Sequence, residues 1–200
     1  MNLFRIAARV AAECTSKTRS GTFNMSEFKK LPDLRSMHEY ARASLEIIGS
    51  GSTRTAYVLN TRKALKVAVG DYTDPKTLDD PDAMARAVEA GEDFTGTAQN
   101  RREAEVFAGA SDVVKPALAA VLDHDPEYRW IISELVRPLS SDEEMERLAE
   151  EAGPAWSEAV DELERTGMFM GDFGSHNCGK TADGRLVVLD YGMLDPGFEP

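Results

Sequence analysis

Two carboxylates and an amide towards the C-terminal end of the sequence have the residue types of phosphoryl transfer. Asp172 and Asn177 stand five residues apart in Gly171-Asp172-Phe173-Gly174-Ser175-His176-Asn177, and Asp190 closes the apolar run Leu186-Val187-Val188-Leu189 ahead of Tyr191-Gly192. A carboxylate beside an acceptor hydroxyl can orient it and take its proton, while an amide oxygen and a second carboxylate can hold a divalent cation against phosphates. Taken singly, each is cheap: Asp-aromatic-Gly also makes an ordinary turn, and Asn is common in loops. Their order along the chain carries the weight.

The same stretch formally matches a phosphate-binding loop, with Gly174, Gly179, Lys180 and Thr181 at the required spacing and an apolar run ending in Asp190 behind them. Such a loop hands phosphate to the N-terminus of a helix, and that helix crosses back to a parallel strand. A crossover needs about a dozen residues. Only Ala182, Asp183, Gly184 and Arg185 separate Thr181 from the next strand, and Asp-Gly specifies a hairpin. A hairpin is therefore expected.

The elements that must position these groups can be read from the pattern. Leu45–Ile48, Thr55–Leu59 and Ala64–Val69 read as strands, with Gly49-Ser50-Gly51-Ser52-Thr53-Arg54 and Asn60-Thr61 between them. Residues 71–97, rich in Asp, Pro, Gly and Thr, read as a surface insertion with a short helix at 82–90. A helix is expected from Gln99 to about Ala110, then paired strands at Ala117–Leu122 and Trp130–Leu135 around an Asp123-His124-Asp125-Pro126 turn. Ser140 to Glu144 offers a capping box for a helix reaching about Glu151, and Gly153-Pro154 separates it from a helix over Ala155–Arg165.

In this order the residues resemble the protein-kinase-like superfamily, over about Leu45 to Met193. The resemblance implies an α+β, two-lobed fold, with a small antiparallel sheet and one main helix in the N-terminal lobe and a reduced helical C-terminal lobe. It divides the chain into an N-terminal helical extension (1–44), the N-terminal lobe (45–136, insertion at 71–97) and a minimal C-terminal lobe (137–200). Gly49, Ser50, Gly51 and Ser52 match the glycine-rich loop over ATP. Lys66 falls where the family carries its phosphate-binding lysine, and Glu103 where it carries that lysine's partner, with Glu105 as the alternative. Glu134 and Val136 fall in the hinge whose backbone reads adenine. Asp172 matches the catalytic-loop aspartate, and Asn177 and Asp190 match the magnesium ligands. The implied cofactors are ATP and Mg2+; the implied partners are a nucleotide and a hydroxyl substrate, on a protein or a small molecule. Read as residues alone, a lysine inside an apolar strand needs a partner or a phosphate unless it faces solvent.

The pattern departs from the family in three places. Arg54 replaces the third glycine of the loop, its side chain either touching phosphate or pointing to water. Met170-Gly171 precede Asp172, which is closer to the aminoglycoside and choline kinase branch than to His-Arg-Asp. Only Met193–Pro200 follow Gly192, so no helical platform for a peptide substrate is expected. A catalytically silent kinase-fold interaction or structural protein therefore stands as the alternative.

Composition sets the outer limits. With 42% hydrophobic and 29% charged residues the 200-residue chain suits a globular fold, and a net charge of -12 argues against an extended nucleic-acid footprint or adsorption to an anionic membrane. No apolar run approaches the ~20 residues of a membrane span. Cys14 and Cys178 give no disulfide framework, so a reducing cytoplasm is expected, and His38, His124 and His176 lack metal-ligand spacing. The basic, amphipathic first twenty residues resemble a transit peptide in pattern, but a small amphipathic helix packing on the body, or a partly loose arm, is expected instead.

Overall fold

A computed structural model describes residues 22–51, 53–69, 95–165 and 173–192. The expectations for the first twenty residues, for the helix at 82–90, and for Ser52 and Asp172 lie outside them. The architecture is mixed α/β, with a five-stranded antiparallel sheet in the order β1-β2-β3-β5-β4 and a three-stranded sheet in the order β6-β7-β8.

Two short-range caps start the described chain. Asn24 accepts from the backbone N–H groups of Ser26 and Glu27 to open α1 (Met25–Phe28), and Asp33 accepts from that of Ser36 to open α2 (Leu34–Ser44). The large sheet follows as β1 (Glu46–Ser50), β2 (Arg54–Asn60) and β3 (Lys63–Ala68). After α3 (Gly96–Gly109), capped by Thr95, come β4 (Val121–His124) and β5 (Trp130–Glu134).

Period-two alternation gives the sheet two different faces. The register pairs Tyr57 with Leu65, Leu65 with Ile132 and Val67 with Trp130, and these side chains form one core with Phe28, Met37 and Ala41 from α1 and α2. Full burial of each large member is worth about 1.5–3 kcal/mol. Arg54 pairs with Ala68, Ala56 with Lys66 and Lys66 with Ile131, so Arg54 and Lys66 share the opposite face, towards α3. The start of α3 lies hard against the sheet: a Cβ on Gly96 would fall 2.0 Å from the Thr53 carbonyl oxygen and 3.0 Å from the Ala68 Cα. Only glycine allows that approach.

Beyond β6 (Arg137–Pro138) the chain forms α4 (Asp142–Ala152) and α5 (Pro154–Arg165), then β7 (Cys178–Lys180) and β8 (Leu186–Val188). Ser141 caps α4, while Glu144 turns back to Ser140 and Arg137; the Arg137 guanidinium and the Ser140 donors hold its carboxyl at about 2. Gly153, at φ 72, ends that helix. Leu118, Leu148, Trp156, Leu163, Cys178 and Val188 make a second core, in which burial pushes the Cys178 thiol up to about 12. β7 and β8 pair antiparallel, with Gly184 at φ 94 in the turn and Thr181 N–H donating to the Arg185 carbonyl (2.9 Å). The stretch that formally matched a phosphate-binding loop is thus a hairpin.

Two local expectations are corrected. Lys115–Ala117 is a 3-10 turn opened by Pro116, and β4 starts only at Val121 and runs through Asp123 and His124. The turn instead follows β4, where the Asp125 carboxylate gathers the backbone N–H groups of Glu127 and Arg129 and the Arg129 guanidinium. Among the described residues no helix is long and apolar enough to cross a membrane.

If α1 and α2 are integral to the sheet's core, Met37→Ala should cost about 2–5 kcal/mol in urea denaturation, and Arg35→Ala, at an exposed site on the same helix, under about 0.5. Equal, small losses would place the helix outside the cooperative unit.

Candidate active site

Four charged side chains from four elements meet on the polar face of the large sheet. Lys66 on β3 donates to Glu103 Oε1 on α3 (2.7 Å) and to Asp190 Oδ1 after β8 (2.8 Å). Arg54 at the start of β2 donates to Glu103 Oε2 (2.6 Å) and to the same Asp190 Oδ1 (2.7 Å). Glu103 is fully buried, Arg54 and Lys66 nearly so, and the Asp190 side chain is 49% exposed. Glu105, the other candidate for the lysine's partner, is exposed on the far side of α3.

Each carboxylate reaches this face for a local reason. Glu103 lies two turns into α3, whose first turn is fixed against β2 and β3 by Gly96 and by the hydrogen bond from Thr53 Oγ1 to Gln99 Oε1 (2.8 Å). Asp190 takes a positive φ of 51°, a region non-glycine residues seldom occupy and one that recurs where a side chain must be aimed. Its neighbours hold it there. Tyr191 is buried and donates its hydroxyl to the Ala119 carbonyl (2.7 Å), and burial pushes that phenol far above its usual range. Gly192 lies against α3, where a Cβ would fall 2.4 Å from the Gln99 carbonyl oxygen.

The electrostatics follow from this geometry. Burial alone would raise the Asp190 carboxyl, but the Lys66 ammonium and then the Arg54 guanidinium outweigh it and hold the group well below the usual carboxylate range. Burial would lower Arg54, and Glu103 and Asp190 more than reverse that. Two cations thus face two carboxylates. Asp190 Oδ2 carries no hydrogen bond among the described residues.

Other sequence-derived candidates fall around this set. Asn177 ends a 3-10 turn (Ser175–Asn177) anchored by Ser175 N–H donating to Asp142 Oδ1 (3.1 Å), and the Leu189 N–H donates to the Asn177 carbonyl (2.7 Å), one residue from Asp190. Val136 packs with Ala119, Val187 and Leu189, which brings the segment after β5 beside the residue preceding Asp190. The N–H groups of Glu134 and Leu135 are taken by Ala120 and Arg62 carbonyls, and the Glu134 carboxylate accepts from Arg185 Nη2, whereas the Val136 N–H makes no hydrogen bond among the described residues. Gly49 and Ser50 end β1 and Gly51 begins the turn, its N–H donating to the Arg54 carbonyl (2.8 Å). A Cβ on Gly49 would meet nothing within 4 Å, and one on Gly51 only the Arg54 oxygen at 3.7 Å. Internal packing does not demand either glycine.

Sequence reasoning missed two members of the site. Arg54, read as touching phosphate or pointing to water, is buried against Glu103 and Asp190. Asn100, fully buried, accepts from Arg54 at a long 3.4 Å and donates to the Tyr128 carbonyl (2.9 Å). The available signal was parity: Arg54 falls on the same side of the β2–β3 hairpin as Lys66.

No protein-family model and no curated protein matches the chain. Among solved structures, a co-crystal structure of WbdD with a kinase inhibitor is similar at TM-score 0.40 and 15% identity, over 72% of this chain and 31% of that one. A medium-resolution structure of the bifunctional kinase-methyltransferase WbdD is similar at TM-score 0.39 and 14% identity, over 74% and 31%. The chain spans about a third of those proteins, and a likeness at this level carries no argument.

Because folding lowers the affinity of Asp190 for its proton, the unfolded chain binds more protons between the free carboxyl value of about 3.9 and the lower folded value. The stability Asp190 contributes is therefore complete above that range and is lost as the pH falls through it. Asp190→Asn, which keeps a residue tolerant of positive φ, should lose stability less steeply than the wild type when urea midpoints are followed from pH 6 to pH 3. Parallel curves would contradict the assignment.

Proposed function

We propose that this chain is a kinase-like phosphotransferase with a two-lobed kinase-like fold, using ATP and magnesium to move the γ-phosphoryl group to a hydroxyl of a protein or a small molecule. The observation that carries the reading is Lys66, bonded at once to Glu103, 37 residues away, and to Asp190, 124 residues away. A strand lysine, a helix glutamate and a strand-ending Asp-aromatic-Gly occur in the expected order and meet in space.

The residues fit a magnesium-nucleotide. Asp190 stays ionised, is half exposed and has an Oδ2 that carries no hydrogen bond among the described residues, and Asn177 is tied to the residue before Asp190 by backbone. Among the described residues no three His, Cys, Asp or Glu side chains form a metal cage; magnesium held largely by phosphates and water needs only one or two protein ligands. Bound there, the metal would offset charge on the phosphate oxygens. Lys66 would neutralise the nucleotide's phosphates, the open backbone at Gly49–Gly51 would lie over them, and the Val136 N–H would meet the adenine edge. Asp172 would align the substrate hydroxyl and accept its proton. In a loose transition state, such positioning and charge neutralisation supply most of the rate.

One observation favours a catalytically silent reading. The four charges already neutralise one another, so the set is satisfied without a ligand. Turnover of ATP labelled at the γ-phosphate separates the two. Asp172→Ala should lower turnover about 10²–10⁴-fold with magnesium-nucleotide binding kept, and Asp190→Ala should lose binding itself. Unchanged turnover in both variants would end the enzymatic reading.

A further inference from the structure

We propose that Arg54 is the positioning residue that keeps Asp190 turned to the metal, so that Lys66 can leave Asp190 for a phosphate without releasing it. The inference rests on the phosphotransferase reading and assigns a division of labour between its two cations.

Lys66 and Arg54 make matching contacts, each taking one oxygen of Glu103 and both taking Asp190 Oδ1. One carboxylate oxygen thus accepts from two cations while the other accepts from none among the described residues. That is redundant for neutralising Asp190 alone. It is what a site needs if one cation must depart and the other must stay.

The chemistry of the two side chains decides which stays. Nearly equal side-chain exposures, 8% for Arg54 and 11% for Lys66, do not. The Arg54 guanidinium is planar, with Nη1 committed to Glu103 and Nη2 to Asp190, so it cannot swing to a ligand without breaking both pairs. It also donates to Asn100, itself fixed to the Tyr128 carbonyl in the β4–β5 turn. Lys66 presents one ammonium on a flexible stem and reaches both Glu103 and Asp190 through the same nitrogen. Rotation of that stem exchanges Asp190 for a phosphate oxygen and keeps Glu103. When it does so, Arg54 still neutralises Asp190 and holds Oδ1, leaving Oδ2 as the metal-facing oxygen. An arginine reaching for phosphate itself would present a free fork; this one has both branches on carboxylates.

The test follows thermal stabilisation by the non-hydrolysable ATP analogue AMP-PNP, in EDTA and across a magnesium titration, for wild type, Arg54→Gln and Lys66→Met. Outer-shell partners of metal ligands typically govern 10–100-fold in metal affinity. Arg54→Gln should therefore need about 10–100-fold more magnesium for half-maximal effect, with its nucleotide affinity in EDTA within about twofold of wild type. Lys66→Met should lose the affinity in EDTA. An unchanged magnesium midpoint in Arg54→Gln overturns the proposal, and so does loss of its EDTA affinity, which would make Arg54 a phosphate ligand. Wild type that magnesium-nucleotide fails to stabilise overturns the phosphotransferase reading and this inference with it; a failure confined to Arg54→Gln leaves that reading standing. If Arg54→Gln does not fold, a crystal structure of wild type with magnesium and AMP-PNP decides. Arg54 on Asp190 with Lys66 on phosphate supports the proposal, and Arg54 on phosphate overturns it.

Discussion

Two cations and two carboxylates, buried except for the half-exposed Asp190, constrain the rest of this molecule. Removing an ion from water costs several kcal/mol, and mutual attraction offsets that only when the geometry is good and the donors and acceptors are satisfied. Here both Glu103 oxygens have a cationic partner, and Arg54 and Lys66 each reach two carboxylates. Such a set adds little net stability, yet losing one member strands a buried charge at about 3–5 kcal/mol. It works as a constraint: β2, β3, α3 and the β8 turn must all be in place before all four charges are satisfied.

The large sheet makes this tolerable by dividing its duties. One face supplies apolar burial, with Tyr57, Leu65, Val67 and Trp130 under α1 and α2. The other face is thereby free to carry charge. Glycines set the closest approaches. Gly96 lets α3 touch the end of the β2–β3 hairpin, and Gly192 lets the Asp-Tyr-Gly turn touch α3. A side chain at either position would part the elements that bring Glu103 to Lys66 and Asp190.

What was legible in the sequence is what depends on local order. Lys66 inside Ala64–Ala68, Glu103 on the next helix and Asp190 after an apolar strand could be read because spacing and element type suffice. The β7–β8 hairpin was legible from Asp183-Gly184, since four residues cannot hold a crossover helix. Arg54 was not, because its partners lie 49 and 136 residues away and a glycine was expected in its place. The role of 25–44 was also hidden, although Ala64-Leu65-Lys66-Val67-Ala68, apolar at both parities, requires cover on both faces. The start of β4 was misplaced because Leu118 and Ala119 are buried like strand residues while Pro116 holds the preceding chain in a 3-10 turn.

The most direct test of the coupled set is a double-mutant cycle between Lys66→Met and Asp190→Asn, read as unfolding free energy in urea at neutral pH. If the charges act as one unit, the double variant should be less destabilised than the sum of the single variants by about 0.5–3 kcal/mol. Additivity within about 0.3–0.5 kcal/mol would show that Lys66 and Asp190 are independent, and would contradict the account.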